Sequence, residues 1–376
     1  MIRASVALAL LASIGCSGPV PGTGKVASPA NDTPAWPDGG GASIRIDSQA
    51  AQLFAPPQGF AELETVLAAP DGGLIAADAG SQQIFVFAPD GSIRRSFGRA
   101  GDGPGEYRYP QLVPSVRPDS IIVVEDYVLR RITWLNQEGQ VLSMLSTNEL
   151  GLEGRVWAVC RLSDGRLLLR VVEASGRVEK GFVRIPARLY LLDPQTRRRT
   201  LLFEGTDHLQ HPNGYFWFGW RLWIATAADR IYTGTGETAS IDVLDLDGSA
   251  VGRVTWNTRP RPVGDAERTE VRQLAATRRA PPEVTGADRF ANVVPVYGRL
   301  LVDETGHLWA FDYTASYSSP GAATVFDPMG RWLGAIAVPR GFSPRVIDGD
   351  WIVGVHREED GVARATRFPI RRSQGS

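Results

Sequence analysis

The chain has 376 residues, with 41 glycines, 26 prolines, two cysteines and a formal net charge of −1. Near-neutral charge excludes a protein built to coat nucleic acid or an anionic membrane, and two cysteines exclude a disulfide framework or a multi-cysteine zinc site. A hydrophobic fraction of 43% is ordinary for a globular core and excludes disorder throughout.

The chain opens MIRASVALALLASIGCSG. Arg3 supplies a positive start, and residues 4–14 form an apolar run of eleven. That run is too short to cross a bilayer and has the length of an export signal. It ends at Ile14, Gly15 and Cys16, which resembles a bacterial lipoprotein signal, where cleavage before the cysteine leaves it to carry lipid. Ser13 stands where such signals usually have leucine, so plain secretion stays open. Residues 1–16 are therefore expected to be a signal peptide with Cys16 as the lipid attachment point. The expected location is an outer-membrane or periplasmic lipoprotein, otherwise a secreted protein. Residues 17–42 are rich in Gly, Pro, Ala, Ser and Thr and cannot bury enough surface to offset their ordering entropy, so they read as a flexible tether.

From residue 43 onward the sequence repeats. Leu74–Ala77, Ile84–Phe87 and Ile93–Phe97 are strand-like runs, separated by turns that contain Asp71-Gly72 and Asp90-Gly91. The unit recurs in SIIVVEDYVLRRITWLNQEGQVLSML, in RLSDGRLLLRVV with ARLYLLDPQTRRRTLLF, in RLWIATAADRIYTGTG with SIDVLDLDGSAVGRVTW, and in RLLVDETGHLWAFD with ATVFDPMGRWLGAIAV. The turns of the outer hairpins fall near Gly91, Gly139, Thr196, Gly248 and Gly330, at spacings of 48, 57, 52 and 82 residues. Four strands and their turns need roughly 40–50 residues, the blade period of a β-propeller. The last unit, within residues 344–370, is one strand short, and Ser43–Asp47 is an orphan strand before the first. Pairing the two closes a ring. The predicted fold is an all-β six-bladed propeller of four-stranded blades over residues 43–371, closed by an N-terminal strand.

Two resemblances follow. QQIFVFAPDGSIRRSFGRAGDGPGEYRYP is similar to an NHL-type repeat, with Gly98, Gly101, Gly103, Pro104, Gly105 and Glu106 forming its glycine-rich loop. The C-terminal GRLLVDETGHLWAFDY, VFDPMGRWLGAIAVP and DGDWIVGV resemble uncharacterised bacterial six-bladed propeller proteins, often predicted to be secreted or lipid-anchored. The resemblance implies the fold and transfers no catalytic motif, because one propeller hosts many activities.

The long gap holds an insertion at about residues 263–290. Asp265 reads as an N-cap, Glu267 and Glu270 occupy the first turns, Arg278 and Arg279 the last, and Pro281-Pro282 stops the helix. Val271, Leu274 and Ala275 give it a narrow apolar stripe, as expected of a surface helix or a lid.

Chemistry is harder to find. His208 and His211 lie beside Asp207, but Pro212, Asn213 and Gly214 argue for a loop rather than a transition-metal site. No G-x-S-x-G elbow and no Walker lysine is present. Cys160, in RVWAVCRL, is expected to be a buried, inert thiol. The aromatics of FWFGWRLW are expected in the core between blades, with a sugar- or peptide-binding mouth as the alternative. No metal is assigned, although propeller lactonases hold calcium with oxygen ligands from separate blades, which leave no local spacing. Loops on rigid scaffolds carry function. In a propeller the loops between second and third strands share a face with the crossovers between blades, and here that face gathers Arg99, Glu106, Tyr127, Lys180, His211, Tyr313 and Tyr317. These seven are the positional candidates for ligand binding. The expected function is a binding or scaffold module for a protein, peptide or glycan of the cell envelope, with no nucleic acid partner. The alternative is an enzyme at the channel mouth, a metal-dependent lactonase-like hydrolase or an NHL-like lyase.

Overall fold

Turn chemistry sets the frame. Gly91, Gly139, Gly248 and Gly330 take positive φ at the tips of four outer hairpins, and Arg197 takes φ 59° in the remaining one. A computed structural model describes residues 31–35, 44–116, 118–173, 182–211, 216–277, 285–315, 320–358 and 361–372. Cys16 and residues 1–30 and 36–43 lie outside them, and with them the signal and most of the tether.

The hairpins build six antiparallel four-stranded sheets. Blade 1 comprises Leu63–Ala68, Leu74–Asp78, Gln83–Phe87 and Ile93–Phe97. Blade 2 comprises Pro110–Val113, Ile122–Asp126, Arg131–Leu135 and Val141–Ser146. Blade 3 is the longest, with Arg155–Arg161, Leu167–Val172, Val183–Leu192 and Arg199–Gln210. Blade 4 has Trp223–Thr226, Arg230–Gly234, Ser240–Asp245 and Ala250–Thr255, and blade 5 has Arg299–Val302, Leu308–Phe311, Ala322–Phe326 and Trp332–Ala337. Blade 6 contains Phe342–Asp348, Trp351–Arg357 and Ala363–Arg372, and Ile44–Ile46 completes it, with Ile44 opposite Arg372 and Ile46 opposite Ile370. The predicted closure by an N-terminal strand is the observed one.

A second N-terminal strand, Gln52–Phe54, was not foreseen; it pairs farther along the same Ala363–Arg372 strand, with Phe54 opposite Ala365. Three residues bounded by prolines and polar residues carry too little periodicity to stand out.

Alternation puts apolar side chains on both faces of each sheet, so a core forms at every seam. Ile75, Ile84, Leu112 and Val124 fill the seam between blades 1 and 2, and Leu168, Leu189, Ile231 and Leu244 that between blades 3 and 4. Ile44 joins Trp309, Phe311 and Phe368 between blades 5 and 6, while Phe54 joins Leu74, Phe87 and Val353 between blades 6 and 1. The ring thus has several small cores rather than one large one, which is how it exceeds the size of a single-core domain.

Buried aspartates pin the crossovers. Asp78 accepts the backbone N–H groups of Ala61 at 3.0 Å and Glu62 at 2.6 Å, and Asp126 accepts those of Arg108 at 2.6 Å and Tyr109 at 2.9 Å. Each carboxylate ends the second strand of its blade and ties down the chain entering the first.

The insertion holds a helix over Asp265–Thr277. Asp265 is its first residue rather than the residue before it, and Glu267 reaches back to the Gly264 N–H at 2.8 Å. Val271 is buried with Trp217, Phe218, Phe290 and Tyr313, and Leu274 packs against the same cluster. The aromatics of FWFGWRLW divide between two cores, with Trp217 and Phe218 beneath the helix and Trp223 packed between blades 4 and 5. Phe218 sits at φ 59°, the chain bends there, and Trp217 and Phe218 form the floor beneath the helix.

The tether expectation also changes at five residues. Asn31 is only 6% exposed. Its amide donates to Thr255 O and Gly330 O, both at 2.8 Å, and its side-chain oxygen accepts the Trp332 N–H at 2.8 Å. Its carbonyl accepts the Asn257 N–H at 3.0 Å. This clasp sits on the outer edges of blades 4 and 5.

Cys160 is buried, and desolvation pushes its thiol up to about 11. A chain beginning at Ser43 should show no labelling by a thiol reagent when native and one labelled cysteine after denaturation. Rapid labelling of the native protein would contradict this burial.

Candidate functional site

The crossover face carries a cavity of about 780 Å3 between blades 2 and 3, within the size range of ligand sites. Its lining includes Tyr127, Arg130, Asn148, Trp157, Glu173 and Gln210 around three groups of particular chemistry, Glu125, Arg155 and His208.

Glu125 faces Gln111 and Ile132 across the second strand of blade 2 and is only 4% exposed. Its Oε2 accepts the Ala158 N–H of blade 3 at 3.1 Å, and its Oε1 has no hydrogen-bond partner. Next to Ala158 the register slips, with Ala158 opposite Leu169 and Cys160 opposite Leu168, so Val159 is a bulge. Burial pushes the Glu125 carboxyl up to about 8, against the pull of the Ala158 N–H, Arg170 and Arg155. At neutral pH it is a carboxylic acid able to donate.

Arg155 and Trp157 project from the same side of the inner strand of blade 3. The Arg155 guanidinium carbon lies 4.6 Å from the Tyr127 ring centre and 4.9 Å from that of Trp157. Arg170, directly opposite Trp157, stacks over the same indole at 4.9 Å. Arg155 is exposed and forms no ion pair with a carboxylate of the described residues. Stacking on aromatic faces fixes a guanidinium and leaves its N–H fork available.

The third group is built by another bulge. Ile185 lies opposite His208 and Pro186 opposite Thr206, so Asp207 has no partner on the facing strand. Proline has no N–H for the ladder, and bulges accommodate it. The bulge turns two consecutive side chains toward each other, and Asp207 Oδ2 meets His208 Nδ1 at 2.7 Å. Asp207 is 1% exposed and its Oδ1 lies 3.4 Å from Arg170 Nε. Burial opposes its charge, but His208, Arg170 and Arg221 outweigh burial and hold it below the usual carboxylate range. The His208 side chain is 34% exposed and lines the cavity. His208 is thus the end of a strand that runs to Gln210, not part of a loop; pairing with Val183–Leu192 carries the ladder past the point where Pro212 suggested it would stop.

The positional candidates spread over this face. Tyr127 lines the cavity and packs edge-on against Tyr109 at 5.0 Å. Arg99 and Glu106 form an ion pair at 2.8 Å in the crossover from blade 1 to blade 2, where Glu106 also accepts the Gly103 N–H. His211 is buried, 2.7 Å from Arg289 through Nδ1, and packs against Phe182. Tyr313 packs on Phe218 beneath the helix and borders a smaller cavity of about 370 Å3 with Asp312 and Arg261. Lys180 and Tyr317 lie outside the described residues. Of the seven, the main cavity takes in Tyr127. Glu125 and the Asp207–His208 pair were missed as site residues. An acid inside the apolar run IVVED and an Asp-His dipeptide were the signals available.

The opposite mouth of the ring has a cavity of about 290 Å3, lined in part by Cys160, Thr226, Asp303, Arg345 and Asp348. Burial and a hydrogen bond with Glu304 push the Asp348 carboxyl up to about 6. Among the described residues no three His, Cys, Asp or Glu side chains come together to hold a metal ion. Among the same residues no helix is long and apolar enough to cross a membrane.

No protein-family model and no curated protein matches the sequence. Solved structures do match by fold. A predicted exported protein from Bacteroides fragilis aligns with 92% of this chain and 100% of its own, at 11% identity and a TM-score of 0.51. A member of the duf4221 family from Bacteroides vulgatus aligns with 88% of this chain and 99% of its own, at 10% identity and a TM-score of 0.50. A gluconolactonase from Xanthomonas campestris aligns with 87% and 94%, at 14% identity and a TM-score of 0.46. At such identities the likeness is one of fold alone, and the chain is an all-β six-bladed propeller.

Proposed function

We propose that this protein is an extracytoplasmic binding propeller that takes an acidic glycan into the cavity between blades 2 and 3. The observation that carries this reading is Arg155, stacked between Tyr127 and Trp157 at the cavity and without an ion-pair carboxylate among the described residues. A stacked guanidinium with an open fork suits a bidentate carboxylate. Thr147, Asn148 and Gln210 supply hydroxyl and amide groups for sugar hydroxyls, and two aromatic rings border the space. Export rests on the apolar run before Cys16; a protein from Bacteroides fragilis that shares the fold is itself described as a predicted exported protein.

Isothermal titration with oligogalacturonate and with its methyl-esterified counterpart tests the reading. The free acid should bind saturably, more weakly at high salt, and the ester should not. Arg155→Ala should lower affinity by about ten- to a hundredfold, the scale of one charge-assisted contact. Equal binding of acid and ester, or binding indifferent to Arg155→Ala, would count against it.

A further inference from the structure

The cavity holds more than binding requires. His208 has its Nδ1 held at 2.7 Å by a buried carboxylate, and Glu125, whose buried Oε1 has no hydrogen-bond partner, lines the same cavity. The Asp207 carboxylate fixes the tautomer with the proton on Nδ1, which leaves the Nε2 lone pair as a base. Arg170 ties the two halves together, lying 3.4 Å from Asp207 and close enough to Glu125 to act on its charge. A base, an acid and a carboxylate-binding arginine therefore share one cavity.

We infer that His208 and Glu125 cleave 4-linked uronate glycans by β-elimination, with Arg155 holding the uronate carboxylate. This deepens the proposed function and rests on it. Nε2 of His208 removes the proton at C5, which is acidic because it is α to the carboxylate. The electron pair of that C–H bond forms the C4=C5 double bond. The C4–O bond breaks, and the departing oxygen takes the proton of the Glu125 carboxylic acid. The imidazolium then returns its proton to the Glu125 carboxylate through solvent, so no oxidant or co-reactant is needed. Charge that builds on the substrate carboxylate during proton removal lies against Arg155.

Glycoside hydrolysis is the competing use of an acid beside a base. It ordinarily takes two carboxyl groups flanking the bond. Among the described residues the other carboxylate lining this cavity, Glu173, is tied to Arg188 at 2.7 Å. The base here is a histidine, oriented by Asp207 as a positioning residue.

The experiment incubates the purified protein with oligogalacturonate, alginate and hyaluronan oligosaccharides. It follows the ultraviolet absorbance of the unsaturated uronate and measures binding in parallel. At least one probe should yield unsaturated ends. His208→Gln should bind that probe as the parent does and lose about 10²–10⁴-fold in rate, the usual share of acid–base catalysis. Glu125→Gln should lose rate while melting at a higher temperature at pH 8, so unfolding cannot explain the loss. Asp207→Asn, at the carboxylate that holds Nδ1 of His208, should lower kcat and leave KM and probe binding as in the parent; a merely structural role would weaken binding as well. Binding of an acidic probe without unsaturated product overturns the elimination and leaves the binding reading standing. Saturated reducing ends overturn it in favour of hydrolysis. Absence of binding overturns both.

Discussion

A chain that begins at Pro57, and so lacks both N-terminal strands, should unfold at far lower urea than one that begins at Ser43. Ile44 is 4% exposed in the core between blades 5 and 6, and Phe54 is 1% exposed in the core between blades 6 and 1. The last blade is thus sewn into both of its neighbours by one N-terminal segment. Phe54→Ala alone should cost about 3–5 kcal/mol and an Ile44→Ala change about 2–5 kcal/mol, by lost burial and residual cavity. Losing both strands also bares the edge of Ala363–Arg372, a ten-residue strand with unpaired backbone groups, so the truncated chain should self-associate. Equilibrium urea unfolding and light scattering read the two effects. Matching midpoints for the two chains would show that the ring does not depend on this closure.

Glu125→Gln should stabilise the protein at pH 8 and leave it nearly unchanged at pH 4. The folded-state pKa is raised, to about 8 from an ordinary 4.5, with burial as the main cause. Below about 4.5 the carboxyl is protonated in both the folded and unfolded chain, and its full contribution is present. Between 4.5 and 8 the unfolded chain has released the proton while the folded chain keeps it, so stability falls as pH rises. Above 8 the loss is complete, on the order of 3–5 kcal/mol from the shift. Glutamine mimics the neutral acid and still offers an oxygen to the Ala158 N–H, so its curve should lack that decline. Thermal melts across pH 4–9 give the comparison, and parallel curves for parent and variant would mean that Glu125 is ionised in the fold.

The ring was legible because its signals repeat. Gly91, Gly139, Thr196, Gly248 and Gly330 mark the outer hairpins of five blades, and the orphan strand around Ile44–Ile46 fits the blade that lacks one. The helix was legible from its charges, its stripe and the proline pair. The cavity was not. Glu125 and His208 lie 83 positions apart in the chain, and they line one cavity beside two bulges, at Val159 and at Asp207. A bulge is one extra residue in a ladder and leaves almost no trace in composition; Pro186 was the single hint, since its missing N–H invites a break in pairing. Asn31 escaped notice for a related reason. One polar residue in a run of Gly, Pro, Ser and Thr looks like linker until the edges of two blades supply its partners.

The Asn31 clasp also decides where the ring bears load. A pull on the segment N-terminal to Asn31 reaches the bonds to Thr255, Asn257, Gly330 and Trp332 before it reaches Ile44. Blades 4 and 5 take that tension and the closing seam does not. The clasp works as a strain relief does on a cable, taking the tug before the joint that keeps the ring shut.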